Sequence, residues 1–222
     1  MRRPIIIVCT ALALGLAGGP AHAQNNIPLT DLKIRAEAGD KTSTRQLAEA
    51  YYTGNGAEQD FKMAAQWYEK LAKLGDARAQ TTLGLLYARG YGVEKNVETA
   101  LKWWKFAALQ NDPAAQFNLG TTYLEGNGIP QNYPEAMRWY RNAAMRGHLQ
   151  AQFNLGMMYF DGKGATKDPQ QAYYWLAVAS EQGDDDAKAE LKKVAAGMTP
   201  AQIREADTQA KEWMRTAKRM WK

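Results

Sequence analysis

Apolar side chains recur along this chain in a strict rhythm. Leu47, Leu83, Leu119, Leu155 and Leu191 stand 36 residues apart, as do Trp67, Trp103, Trp139 and Trp175. Tyr51, Tyr87, Tyr123 and Tyr159 keep the same step. So do four Gly-x-Gly turns, at Gly54/Gly56, Gly90/Gly92, Gly126/Gly128 and Gly162/Gly164. A second glycine series, Gly39, Gly75, Gly147 and Gly183, has Asn111 where its missing member would fall. A fixed period of this size, with no insertion, marks a repeat architecture.

Each period predicts two helices. In the first, Ala79, Leu83, Leu86 and Tyr87 follow helical spacing, Asp76 supplies an N-cap, and Gly90-Tyr91-Gly92 ends the run. The second starts at Asp60, Asn96, Asn132 or Asp168, all good capping residues. Glu135 and Gln171 sit where a capping box needs them, and Pro169 takes the favoured first helical position. Ala64, Trp67, Tyr68, Leu71 and Ala72 then trace one buried stripe. Small residues at Ala64, Ala100, Ala136 and Ala172, facing Gly84, Gly120 and Gly156, let paired helices approach closely. The expected fold is all-α: a right-handed α-solenoid of helix-turn-helix repeats, with four full repeats at about 40–182 and half-repeats at 27–38 and 184–197.

The motif Ala-x-x-Leu-Gly-x-x-Tyr, then Gly-x-Gly, Asp or Asn, Ala and Trp, then Ala-Ala and Gly, resembles the SEL-one-like repeat, a relative of the tetratricopeptide repeat. Ala79-Gln80-Thr81-Thr82-Leu83-Gly84 and Ala151-Gln152-Phe153-Asn154-Leu155-Gly156 carry the likeness most closely. The first repeat departs from it, with Ala48 in place of Gly and Ser43-Thr44 in place of Ala-Gln. The resemblance implies a non-enzymatic adaptor that binds other proteins, often in the bacterial envelope or in signalling. It does not name a partner.

In tetratricopeptide-like solenoids the first helix of each pair lines the concave side. That placement nominates Arg78, Thr81, Leu85, Ala88 and Arg89, then Ala114, Phe117, Thr121, Leu124 and Glu125, then Gln150, Phe153, Met157, Phe160 and Asp161. Phe153, Met157 and Phe160 are spaced i, i+4, i+7 and form one stripe. With Phe117 and Leu124 they would make a groove for apolar side chains or an amphipathic helix, with Asn118 and Asn154 bonding a partner's main chain. The competing reading is that neighbouring helices bury these rings. The Trp series reads as core, and the Gly-x-Gly turns as structural, since none carries a P-loop or dinucleotide ending.

Composition narrows the chemistry. The 222 residues are 45% hydrophobic and 23% charged, typical of a globular chain, with one Cys and two His. Arg2-Arg3, an apolar run over 5–17, Gly18-Gly19-Pro20 and Ala21-His22-Ala23 read as a signal peptide cut before Gln24. An uncleaved anchor is the alternative. Cleavage removes Cys9 and His22 and leaves His148 alone, at a position that holds Asp76, Asp112 and Asp184 in other repeats. The expectation is therefore a periplasmic or secreted protein without metal, cofactor or catalytic residue. Asp184-Asp185-Asp186 reads as an acidic helix start rather than a calcium site. Neither Ser43 nor Ser180 has the Lys of a serine β-lactamase three residues later. A cell-wall enzyme or regulator, acting on peptidoglycan or β-lactams through Glu125 and Asp161, is the runner-up.

Residues 24–198 carry 20 basic and 20 acidic side chains, whereas 199–222 carry six and three. A neutral body argues against nucleic acid as partner. In the tail, Thr199-Pro200-Ala201-Gln202 starts a helix whose apolar face comprises Ile203, Ala206, Ala210, Trp213, Met214, Ala217, Met220 and Trp221. Two roles compete for it: covering the last repeat, or weak contact with an anionic membrane surface.

Overall fold

The structure is a computed structural model describing residues 27–220, with side chains through Ala217. The proposed signal peptide and Trp221 lie outside the described residues. Eleven helices and no strand occur among the described residues. They are α1 (Leu29–Glu37), α2 (Lys41–Thr53), α3 (Phe61–Lys73), α4 (Ala77–Arg89), α5 (Val97–Leu109), α6 (Pro113–Glu125), α7 (Tyr133–Met145), α8 (Leu149–Asp161), α9 (Pro169–Ser180), α10 (Asp185–Ala195) and α11 (Pro200–Met220). Consecutive helices pair as α2–α3, α4–α5, α6–α7 and α8–α9, flanked by α1 and α10 as half-repeats. The architecture is an α-solenoid.

The caps fall where the sequence places them. Asp40, Asp76, Asp112 and Asp184 each accept from the backbone N–H three residues on, as do Asn96, Asn132 and Asp168. Asp60 accepts from two backbone N–H groups, those of Lys62 two residues on and Met63 three residues on. Asn111 has φ +69° and does the work of the glycines at its position. The capping box of α11 closes in both directions, Thr199 N–H donating to Gln202 Oε1 and Gln202 N–H to Thr199 Oγ1. Glu135 instead pairs with Arg138 on its own helix, at 2.7 Å.

Trp67, Trp139 and Trp175 are core, and Trp103 is half-buried with its edge against Phe106. Close approach within hairpins explains the helical glycines. A Cβ on Gly84 would lie 2.5 Å from the Trp104 indole, one on Gly120 2.7 Å from the Tyr140 ring, and one on Gly156 2.8 Å from Leu176. The second glycine of the last three Gly-x-Gly turns has a further duty. Gly92 rests on the Phe61–Lys62 peptide, Gly128 on Val97 and Gly164 on Tyr133, each at the start of the preceding repeat's second helix. These turns are therefore contacts between repeats as well as chain reversals.

A ladder of buried amides runs through the array. Gln80, Gln116 and Gln152 donate their Nε2 to the carbonyls of Ala72, Ala108 and Ala144, at 3.0–3.2 Å. Gln110 and Gln182 in turn donate to Gln80 Oε1 and Gln152 Oε1. The corresponding residue on α7 is Arg146, which donates to Asn111 Oδ1, and Gln116 Oε1 is left buried without a protein partner.

The tail helix α11 lies along α9. Ala210 and Met214 pack on Ala177 and Val178, Ala206 and Ala217 are buried, and Trp213 meets the Trp175 ring edge-on at 5.8 Å. Through Ala217 its apolar stripe is thereby spent on the last full repeat.

Candidate functional site

The nominated residues sit on α4, α6 and α8, and the structure separates them into two sets. Phe153, Leu124 and Asn154 are buried. Phe153, 7% exposed, packs among Ala172, Leu176, Ala187 and Val194. It faces the neighbouring helices, which corrects its place in an open stripe. Thr81 is buried too, and Phe117 is half-buried.

The reason lies in a spacing of 31 residues. Arg45 pairs with Asp76 at 2.5 Å, Thr81 Oγ1 donates to Asp112 at 3.0 Å, and Phe117 stacks on His148 with centroids 4.4 Å apart. In each case one first helix holds the N-cap residue of the next. The side-chain types match in turn, charge to charge, hydroxyl to carboxylate, ring to ring. That matching is visible in sequence once the offset is known, and it is the signal that a search for a single apolar stripe passes over.

His148 caps α8 through Nδ1, which accepts from Ala151 N–H at 3.3 Å. Burial pushes its imidazole down from 6.5 to about 4. Above pH 6.5 both folded and unfolded chains hold it neutral, so its contribution to stability is complete. Between about pH 6.5 and pH 4 the unfolded chain takes up a proton that the folded one refuses. Stability should fall across that window by something on the order of 2 kcal/mol. Melting curves of the wild type and of His148→Asn, which caps without titrating, check this: the variant should lack the step.

The remaining set is accessible. Gln150 and Met157 are partly exposed and Phe160 is 36% exposed; Asn118 and Thr121 are half-buried. Thr121 Oγ1 shares a hydrogen bond with the Tyr140 hydroxyl at 3.0 Å, which fixes its rotamer. Asn118 Nδ2 is buried and has no partner. Asn118 and Thr121 line a cleft of about 370 Å³ between α4 and α6, together with Leu85, Ala88, Arg89 and Glu125. Glu125 and Arg89 both line the cleft, while Asp161 pairs with Lys163 at 3.3 Å. Among the described residues, no group of three or more His, Cys, Asp and Glu converges as a metal site would require.

Four copies of the Sel1 repeat match residues 43–76, 77–112, 113–148 and 149–184. The chain is similar to the crystal structure of c5321, described as a protective antigen of uropathogenic Escherichia coli strains displaying an SLR fold, at 32% identity and TM-score 0.78. That match covers 87% of this chain and 42% of the other, so this chain spans less than half the length of that protein. A Sel1 repeat protein from Oxalobacter formigenes is also 32% identical, with TM-score 0.69, over 83% of this chain and 75% of its own. No curated protein matches the chain. Sel1 repeat proteins generally mediate protein–protein interactions, and their fold is typically a non-catalytic scaffold. With repeats that account for more than half its length, the chain belongs to the Sel1 repeat family.

Proposed function

We infer that this chain is a non-enzymatic scaffold of the bacterial envelope, exported by its N-terminal segment, that holds a peptide or helix of another protein on the face of α4, α6 and α8. The carrying observation is the composition of that face. Leu85, Ala88, Met157 and Phe160 supply apolar contact, and in the wall of the cleft between α4 and α6 the Tyr140 hydroxyl holds Thr121 in place. A buried amide donor without a partner costs free energy that a bound carbonyl or a water would recover. Asn118 Nδ2 is such a donor, and it borders the cleft. The relative described as a protective antigen of uropathogenic Escherichia coli strains supports an exposed or exported location.

The test is affinity capture from an envelope extract of the source bacterium. Wild type and a Met157→Ser/Phe160→Ser variant should show the same helix content, because Phe160 is exposed and Met157 only borders the core. The variant should lose a protein that the wild type retains. If both capture the same proteins in the same amounts, the face is not the binding site.

A further inference from the structure

A second surface lies along the edge where α3, α5 and α7 end. Large apolar side chains stand in water there on three successive rungs: Leu74 (58% exposed), Phe106 (54%), Leu109 (79%) and Met145 (51%). The rungs are tied into one edge. Gln110, beside Leu109, bonds Gln80, which bonds the Ala72 carbonyl near Leu74. Arg146, beside Met145, bonds Asn111 of the preceding turn. Leu109 and Met145 share one repeat position, Leu74 stands one residue past it and Phe106 three residues before it, so the four gather along one edge. Exposed apolar residues scattered singly are ordinary, but a gathered row is not.

The charge along this edge is lopsided. Residues 66–74, 102–110 and 138–146 carry seven Lys or Arg and one acid, Glu69, in a repeat body that is neutral overall. Glu69 is already paired with Lys73 at 2.9 Å. The matching stretch of the fourth repeat, 174–182, has no cation and one acid, and it begins in the part of α9 that α11 covers. The basic, apolar character stops where the chain's own helix takes over the surface.

We propose that this edge docks on an anionic lipid surface, with Phe106, Leu109 and Met145 entering the headgroup layer and Lys70, Lys105 and Arg146 meeting the lipid phosphates. Cations beside shallowly inserting apolar side chains are the chemistry by which proteins lie on such membranes. A second copy of the chain is a poor occupant, because like charges would meet. Phe106, Leu109 and Met145 stand on the last turns of α5 and α7, and they line neither the cleft between α4 and α6 nor the one between α9 and α11. A fluid interface conforms to such a row, whereas protein hot spots fill pockets. No described helix is long and apolar enough to cross a membrane, so the contact is peripheral.

Residues 24–222 hold every described helix and omit the apolar run over 5–17, so they suit a vesicle sedimentation assay. The wild type should partition onto phosphatidylglycerol vesicles, far less onto phosphatidylcholine, and less again as salt rises. Phe106→Ser/Leu109→Ser should weaken binding at least about tenfold. Lys105→Gln should weaken it about fivefold. Circular dichroism should be unchanged for both variants, whose side chains are exposed. Equal binding to the two lipids, unaltered binding by these variants, or loss only with Arg204→Gln/Lys211→Gln on α11 would overturn the assignment. So would binding to polyglutamate but to neither vesicle.

Discussion

Replacing Gly92 by Ala should lower the unfolding midpoint by about 10 °C, while the same change at Gly56 should cost roughly a third as much. Both glycines have φ in the left-handed region, +69° at Gly92 and +88° at Gly56, so both substitutions carry a backbone penalty of about 1–2 kcal/mol. They differ in what the new methyl meets. At Gly56 nothing lies within 4 Å. At Gly92 the Cβ would sit 2.2 Å from the Phe61 carbonyl carbon and 2.4 Å from Lys62 N, which are backbone atoms at the head of α3. Backbone cannot rotate away as a flexible side chain can, so two repeats must move apart, adding about 1–3 kcal/mol of overpacking. Thermal melts of the two variants measure the difference directly. Equal shifts would mean that the contact between repeats contributes nothing.

Truncating Phe153 to Ala should destabilise the fold by about 3–5 kcal/mol, and Phe160→Ala should change it by less than about 1 kcal/mol. The two phenylalanines share one helix, yet Phe153 fills the core between α8, α9 and α10 while Phe160 stands at the solvent-facing end. Denaturant titrations separate the two roles. A stable Phe153→Ala protein would return that ring to the open face. The contrast also governs any functional test, because loss of a partner on mutating Phe153 reports unfolding, whereas loss on mutating Phe160 reports contact.

Periodicity made the hairpins, their caps and the small residues at close helix contacts readable in the sequence, whereas the large side chains those glycines meet, Trp104 and Tyr140, emerged only in the structure. Each is set by local chemistry: Asp76 must satisfy free N–H groups at one helix end, and Gly84 must make room for the Trp104 ring. Residue Asn111 could be placed in its left-handed slot by position alone. The binding face was harder. Helical spacing puts Phe153, Met157 and Phe160 on one side of α8, but the next repeat wraps over the helix's first turns and stops short of its last. Which part of a stripe is covered depends on the stagger between repeats, and no single helix records that. Trp103 and its neighbour Phe106 illustrate the same limit, since the series of four Trp predicts burial and one member stands partly in water.

The amide ladder bears on how such an array changes length. Each Gln must reach a carbonyl eight residues behind it, and at two rungs it is met by a side chain thirty residues ahead. A single residue inserted in either connecting turn would carry donor and acceptor out of register and strand a buried amide. Whole units of 36 residues can be added or removed without that cost, because the new rung brings both halves of its own bond. The uninterrupted period is thus a length lock, and duplication of complete hairpins is the cheap route by which a chain of this kind lengthens its binding surface.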